Sequence, residues 1–254
     1  MNPPRAATAR ERARAELTRE IKEEAKRQLA ATGADALSLR AVARELGMVS
    51  SALYRYYPSR DDLLTALIID AYNALGEAAE RAIARAASGR ARWIAACGAI
   101  RDWARSNPYE YALIYGSPVA GYRAPQATVG PASRVPLAFV GVLAAAAANG
   151  EIAPPAAGGA LALPVDGELA AQAASITAAL AVPEAPPDAI VRAVIAWTQL
   201  FGMISFELFG QFVGSFDPPD ALFAHAVAQQ AAFVGLRPPG ALNPVQSGQD
   251  PSQQ

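Results

Sequence analysis

Apolar residues recur three or four positions apart along most of the chain, which is the spacing of one face of an α-helix. The first such stripe predicts a helix over residues 11–31, ending at Gly33, and consists of Leu17, Ile21, Ala25 and Leu29. No stretch shows several alternating strands bounded by turn residues. The pattern therefore predicts an all-α fold.

Short helices are predicted after this first one. Ser38 is a good N-cap for a helix over 39–46, which Gly47 closes, and a second short helix follows at 50–56. Ser59 begins a long helix that reaches about residue 86. Further helices are predicted at 90–106, 108–115, 132–149, 167–180, 188–212 and 219–234, with loops at 116–131, 150–164 and 182–187.

The segment from Leu39 to Pro58 has the residues that a helix-turn-helix requires. Its small core would use Val42, Leu46 and Leu53, with Ala43 where two helices approach and Gly47 where the chain reverses. Two helices of an ordinary bundle that meet at a glycine turn are the alternative. The polar and aromatic residues of the second helix favour DNA reading, because few core helices could bury them: Ser50, Ser51, Tyr54, Arg55 and Tyr56.

Charge supports this interpretation modestly. The formal net charge is −1, yet the first 62 residues contain 12 basic and 9 acidic side chains. Positive charge suits a surface that meets phosphate, although a solvated charged helix explains most of this excess equally well.

Composition indicates a soluble protein of a reducing compartment. A single cysteine, Cys97, cannot form a disulfide or a cysteine zinc site within one chain. The apolar run at 137–148 is too short to span a bilayer, and polar residues interrupt the run at 193–213. We therefore expect a cytoplasmic location and no membrane partner.

Nothing in the sequence assembles a catalytic or cofactor site. His225, the one histidine, has no cysteine or carboxylate at metal-ligand spacing, which favours a surface or subunit-interface role. Cys97 is interpreted as a buried small hydrophobe, with a redox-sensing thiol as the alternative. No glycine-rich phosphate loop or Gly-x-Ser-x-Gly motif occurs. We expect no enzymatic activity, no metal and no cofactor.

The stretch LSLRAVARELGMVSSALYRYYPSRDDLLTAL closely resembles the N-terminal motif of the TetR/AcrR family of transcriptional regulators. Arg60 occupies the position of the family's usual lysine and can bind a phosphate. The resemblance implies DNA contacts by a set of residues on the two short helices and at the start of the next: Arg40, Ser50, Ser51, Ala52, Tyr54, Arg55, Tyr56 and Arg60.

The same resemblance implies a homodimer in which the last two long helices pair with their copies. Interface residues would be Trp197, Ile204, Leu208, Phe212, Leu222, Phe223 and Val227; a monomeric core is the alternative for these apolar side chains. A second likeness, over residues 107–119 and 197–210, points to a subgroup with a Trp-x-x-x-His-Gly pattern. Phe201 stands here where that subgroup has histidine.

An effector pocket is also implied, inside the central helices. Its candidate lining is Trp93, Cys97, Ile100, Trp103, Tyr111, Tyr115, Phe201 and Met203. Aromatic residues at helical spacing are common core residues as well. Few charges occur on these helices, so the expected effector is a small, largely apolar or aromatic molecule.

Three regions follow from these expectations. Residues 1–62 form the DNA-binding domain with an arm at 1–10, residues 63–236 form the effector-binding and dimerisation domain, and residues 237–254 form a disordered tail. The expected function is a repressor that binds palindromic double-stranded operator DNA and is released by its effector. The alternatives are an architectural or ligand-independent DNA-binding protein and, within regulation, an activator.

Overall fold

The structure is a computed structural model that describes residues 8–152, 165–179 and 187–238. Most of the predicted arm and tail, and parts of the loops predicted at 150–164 and 182–187, lie outside the described residues. Within the described ranges the chain forms ten α-helices and two short 3-10 turns, and its β pairing is limited to one isolated bridge between Ile152 and Leu236. The predicted all-α fold is confirmed.

The helices follow the predicted order closely. They are α1 (Ala9–Thr32), α2 (Leu39–Glu45), α3 (Ser50–Leu53), α4 (Arg60–Arg85), α5 (Gly89–Ser106), α6 (Pro108–Tyr115), α7 (Val129–Ala148), α8 (Gly167–Ala179), α9 (Pro187–Leu208) and α10 (Asp220–Phe233). The 3-10 turns cover Ala34–Ala36 and Gln126–Thr128. Three predicted bounds are wrong by more than two residues: α3 ends at Leu53, α7 begins at Val129, and α9 ends at Leu208.

Local capping explains where several helices begin. The Ser38 hydroxyl accepts a hydrogen bond from the Ala41 N–H at 3.4 Å, as its N-cap position predicts. Ahead of α4, the Ser59 hydroxyl accepts from the Asp62 N–H at 3.1 Å and donates to the Asp62 carboxylate at 2.7 Å. Helix α1 starts earlier than predicted because Thr8 forms a capping box with Glu11. The backbone N–H of Thr8 lowers the pKa of the Glu11 carboxyl.

The chain divides into two compact units. The first combines Met1–Ala74 with Asn107–Ala132, and the second combines Leu75–Ser106 with Ser133–Gln254. The first unit therefore contains α6 and the segment after it in addition to the helix-turn-helix.

The core of the first unit is built from the helix-turn-helix residues that the spacing predicts. Val42, Ala43 and Leu53 are fully buried, and Leu46 packs against them. Helix α1 contributes Ile21 to the same cluster. From α6 and the segment after it, partly buried hydrophobic side chains also pack there: Leu113, Ile114, Val119 and Tyr122.

A buried arginine connects three helices of the second unit. Arg101 on α5 donates to both carboxylate oxygens of Glu207 on α9, at 2.7 and 2.9 Å, and to Asp220 on α10 at 3.0 Å. Its guanidinium also lies over the Phe223 ring, 4.6 Å from the centroid. Near the other end of α5, Arg90 donates to the Ala228 carbonyl of α10 at 3.0 Å. Helices α5 and α10 are therefore antiparallel.

Two helices are long and apolar enough to cross a membrane when only length and composition are considered, Gln126–Ala148 and Pro187–Leu208. The run at 137–148 is short, but it belongs to the 20-residue α7, so the length argument from the sequence is wrong. Two such helices are weak evidence, because core helices of soluble proteins pass the same test.

Candidate DNA interface

The predicted reading segment, residues 50–56, begins as helix α3 and continues as hydrogen-bonded turns. The N–H of Tyr54 donates to the Ser50 carbonyl at 3.1 Å, and those of Tyr56 and Tyr57 donate to the Leu53 carbonyl at 2.8 and 3.1 Å. Leu53 is fully buried. One apolar side chain thus anchors a short segment in which no other side chain is fully buried.

The exposed side of this segment carries polar and aromatic groups. Ser51, Tyr54 and Arg55 are exposed, and 41% of the surface of Tyr54 is accessible to solvent. The predicted contacts Ser50, Ala52 and Tyr56 are half-buried. The structure therefore brings all six together in one short stretch, with three of them facing solvent freely.

Tyr56 has a partner that the sequence did not reveal. The Arg14 guanidinium of α1 lies over its ring, 5.1 Å from the centroid. This is a cation–π contact, which is favourable even at partly exposed sites. Arg14 and Tyr56 are 42 positions apart, so no local pattern indicates the pair.

Arg40 lies in the first turn of α2 and is exposed. It makes no ion pair or hydrogen bond through its side chain with the described residues. Its guanidinium is therefore available to a ligand, and a planar fork of donors matches a guanine edge or a phosphate.

Arg60 has an intramolecular role as well as its predicted one. Its Nη2 donates to the carbonyl oxygens of Ala34 and Asp35 at 2.8 and 3.3 Å, and its Nη1 lies 3.5 Å from the Asp61 carboxylate. The side chain thereby holds the α1–α2 connection against the start of α4. Its predicted phosphate contact stays a prediction.

Comparisons with known proteins agree with this arrangement. Residues 21–67 match the family described as bacterial regulatory proteins, tetR family, and residues 93–230 match a tetracyclin repressor-like C-terminal domain. The chain belongs to the TetR family. It therefore acts in transcription regulation through a helix-turn-helix, and membership implies a cytoplasmic location.

Relatives with this TetR architecture are similar along most of the chain. The HTH-type transcriptional regulators Rv1816 of Mycobacterium tuberculosis (strain ATCC 25618 / H37Rv) and Mb1846 of Mycobacterium bovis are each 41% identical over 209 residues, covering 79% of this chain and 84% of the relative. Among solved structures, SCO4313, described as a regulatory protein, is 36% identical with a TM-score of 0.71, covering 89% of this chain and all of that one.

A more distant TetR regulator from Marinobacter aquaeolei VT8 shares the fold. Its TM-score is 0.58 at 17% identity, and the match covers 89% of this chain and all of that one.

In the C-terminal part of this TetR chain, the predicted pocket residues are divided between the two units. Trp93, Cys97 and Ile100 are fully buried on α5, Phe201 is buried on α9, and Trp103 and Met203 are half-buried. Tyr111 and Tyr115 lie on α6, in the first unit. A pocket role for any of them stays a prediction.

Contacts within each unit already involve several of these side chains. Trp93 packs on Phe139 of α7 with ring centroids 4.6 Å apart, and Tyr111 packs on Tyr115 at 5.4 Å. Burial raises the pKa of the Cys97 thiol far above its usual range, so that the group stays protonated at neutral pH. This favours the small hydrophobic role of Cys97 over that of a reactive thiolate.

Some of the predicted dimer residues are buried within the subunit, and the others are half-buried. Ile204, Phe223 and Val227 are buried within the subunit itself, because α9 and α10 pack on each other and on α5. Four others are half-buried: Trp197, Leu208, Phe212 and Leu222. Exposed apolar side chains, which the sequence could not separate from the core, lie on and just after α9: Val194, Ile195, Phe206, Phe209, Val213 and Phe216.

His225 is on the exposed side of α10. Its Nε2 lies 2.9 Å from the Gln229 amide nitrogen one turn later. This position is compatible with either of its predicted roles, at the surface or at a subunit interface.

Proposed function

We propose that this TetR-family protein is a repressor that binds a palindromic operator as a homodimer and is released by a small, largely apolar effector. One observation supports it most: residues 50–56 present exposed Ser51, Tyr54 and Arg55 from a segment anchored by buried Leu53. Such a segment suits the major groove, where base edges are read by side chains near the start of a recognition helix.

Different residues would read bases and phosphates. Arg40 and Arg55 are exposed and can each donate two parallel hydrogen bonds to a guanine edge. The hydroxyl groups of Tyr54 and Tyr56 suit phosphate or sugar contacts. Such contacts set the position of the helix-turn-helix on the DNA but carry no sequence information. Ala52 offers a methyl group that can contact the methyl of thymine.

Dimerisation would use the exposed apolar side of α9. Ile195, Gly202, Phe206 and Phe209 are all exposed and recur at helical spacing. A stripe of this kind is unusual on a soluble monomer and typical of a subunit interface. Pairing would place two reading segments in successive major grooves, about 34–36 Å apart.

Effector release would follow from a shift between two dimer states. Trp93, Cys97 and Ile100 on the buried side of α5 are apolar, which favours an effector of the same character. The effector must bind the state with mismatched head spacing more tightly, since equal affinity for both states would shift nothing.

Footprinting of the DNA upstream of the protein's own gene tests the first part. We expect protection of a palindrome whose half-sites are centred about 10–10.5 base pairs apart or a multiple of it. The double variant Arg40→Ala, Arg55→Ala should lose this protection. The matched control Arg81→Ala, Arg85→Ala removes the same charge from the last turns of α4 and should retain it.

Two results would contradict this proposal. Wild-type protection by the Arg40→Ala, Arg55→Ala variant would remove the assigned reading residues. Protection without any palindrome, spread evenly over long DNA, would indicate an architectural DNA-binding protein instead.

A calorimetric screen tests the effector. Apolar and aromatic compounds should bind and release the footprint, whereas highly charged metabolites should not. Binding by the charged compounds alone would contradict the apolar class.

A further inference from the structure

A tight turn follows α6 in the first unit. It comprises residues 119–122 and is called the tethered turn below. The N–H of Tyr122 donates to the Val119 carbonyl at 3.2 Å, and Gly121 has φ +75°, a conformation that glycine adopts without strain.

Two hydrogen bonds attach the tethered turn to the helix-turn-helix. The Ala120 N–H donates to the Asp35 carboxylate at 3.1 Å, and the Tyr122 hydroxyl lies 2.9 Å from the Thr65 hydroxyl on α4. Val119 and Tyr122 also pack against the hydrophobic core of the first unit. Polar and apolar contacts together hold this turn in place against the first unit's core.

The tethered turn lies next to parts of the first unit for which DNA contacts are proposed. The carbonyl of Asp35 accepts a hydrogen bond from Arg60, the first residue of α4. Arg40, in the first turn of α2, is five positions after Asp35. The tethered turn therefore lies where the α1–α2 connection meets the start of α4.

Arg123 is the next residue after the tethered turn. It is exposed, and it makes no hydrogen bond or ion pair with the described residues. Arg60 is different, because its donors are occupied by two carbonyls and by Asp61. Among the described residues near this turn, Arg123 is therefore an exposed and unpaired positive charge, as Arg40 is on α2.

We propose that Arg123 binds a phosphate of the DNA, so that the segment after α6 is a further DNA-contacting element beyond the helix-turn-helix. The tethered turn positions Arg123, and Tyr122 is a positioning residue. DNA is the partner that fits, because a phosphate is the group that an exposed, unpaired guanidinium next to the α1–α2 connection and the start of α4 would meet. The inference rests on the proposed DNA-binding mode.

A salt titration tests this role of Arg123 without knowledge of the operator. A labelled 30-base-pair duplex of random sequence is bound by the full-length protein between 50 and 200 mM KCl. For Arg123→Gln, the slope of log affinity against log salt should become shallower by about 0.9 for each subunit, because one phosphate fewer is neutralised. A footprinted operator should lose affinity by the same factor as the random duplex.

The control variant is Arg85→Gln, which changes the charge equally. Arg85 is exposed in the last turn of α4, 25 residues after Arg60 in the sequence. It should leave both affinity and slope unchanged. If Arg123→Gln behaves like Arg85→Gln, the proposed phosphate contact is wrong.

A second variant tests the positioning role. Tyr122→Phe removes the hydroxyl bonded to Thr65 while it keeps the ring and Arg123, so we expect an intermediate loss of affinity. Combined with Arg123→Gln it should cause no further loss, because both changes act on the same phosphate interaction. Full additivity would contradict the positioning role. Failure of the wild-type protein to bind either DNA would instead contradict the proposed function.

Discussion

Gln230 of α10 is a residue whose side chain conflicts with its surroundings. It is 1% exposed, and neither its amide nitrogen nor its amide oxygen has a hydrogen-bond partner in the part of the chain that the structure describes. A buried polar group in this state costs about 1–3 kcal/mol, because it has lost water and gained nothing in return.

We therefore predict that Gln230→Met stabilises the protein. The apolar side chain has a similar shape and no unmet donor or acceptor, and each kcal/mol gained should raise Tm by roughly 2–4 °C in thermal unfolding. Gln229→Met, at the exposed neighbouring position, is the control and should change Tm little. A lower Tm for Gln230→Met would show that its amide groups are in fact satisfied.

Arg60 allows its structural and its DNA-binding roles to be separated. Arg60→Lys keeps the positive charge but cannot reproduce the planar fork that reaches the Ala34 and Asp35 carbonyls. We expect this variant to lose about 1 kcal/mol of stability and to keep the wild-type salt slope of DNA binding. Arg60→Ala should lose the same stability and also have a shallower salt slope. Chemical denaturation and salt titration measure the two effects. Equal salt slopes for all three proteins would contradict the phosphate contact.

The residues that sequence reasoning places well are those whose role is local. Ser38 caps the helix that begins at the next residue, and Leu53 repeats the apolar spacing of its neighbours. Arg60 to Ala34 and Asp35 to Ala120 are contacts across 26 and 85 positions. No periodicity or motif encodes such a pair, so only the folded chain reveals it.

Among the helices, starts at a capping serine were predictable, whereas the end of α9 was predicted wrongly although a local glycine sets it. Helix α9 ends at Leu208, four residues before the predicted end, because Gly210 adopts φ +77° and turns the chain. The apolar residues beyond it, through Phe212, continue the hydrophobic pattern without continuing the helix.

The buried pairing of Arg101 with Glu207 gives a prediction about three helices at once. Glu207→Gln removes the charge but keeps the shape. Among the described residues it leaves Arg101 with the more exposed Asp220 as its anionic partner. We expect a loss of about 3 kcal/mol in the free energy of unfolding, the lower end for breaking a buried pair.

Urea denaturation measures this loss against an exposed ion pair. Glu77→Gln breaks the solvent-exposed pair with Arg81 and should cost less than about 0.5 kcal/mol. Equal costs for the two variants would show that Arg101 does not hold α5, α9 and α10 together.

For the whole molecule, the helices and the reading head follow from the sequence, but the grouping of the helices does not. Helix α6 shares a compact unit with the head because the tethered turn and the side chains of Leu113 and Ile114 pack there. Their apolar spacing is that of any amphipathic helix, so it predicts burial without saying against what.

The oligomeric state gives a prediction at this scale. Phe206→Glu places a charge in the middle of the exposed apolar side of α9, and burial of that charge in an interface would be costly. We expect this variant to sediment as a monomer at concentrations where the wild type sediments as the proposed dimer. Leu137→Glu, at an apolar position on α7 that is also exposed, should remain dimeric.

A wild-type protein that sediments as a monomer over the same range would contradict the dimer, and a dimeric Phe206→Glu variant would place the interface elsewhere.

The uncovered aromatic side chains on and after α9 have a consequence for the life of the protein in a cell. In the proposed dimer, a subunit that has lost its partner would display Phe206, Phe209 and Phe216 to the solvent, which is the kind of surface that aggregates or recruits chaperones and proteases. Newly synthesised chains would then survive in proportion to how quickly they meet a second copy. Degradation or aggregation would thus remove unpaired subunits before they could bind one half-site of an operator.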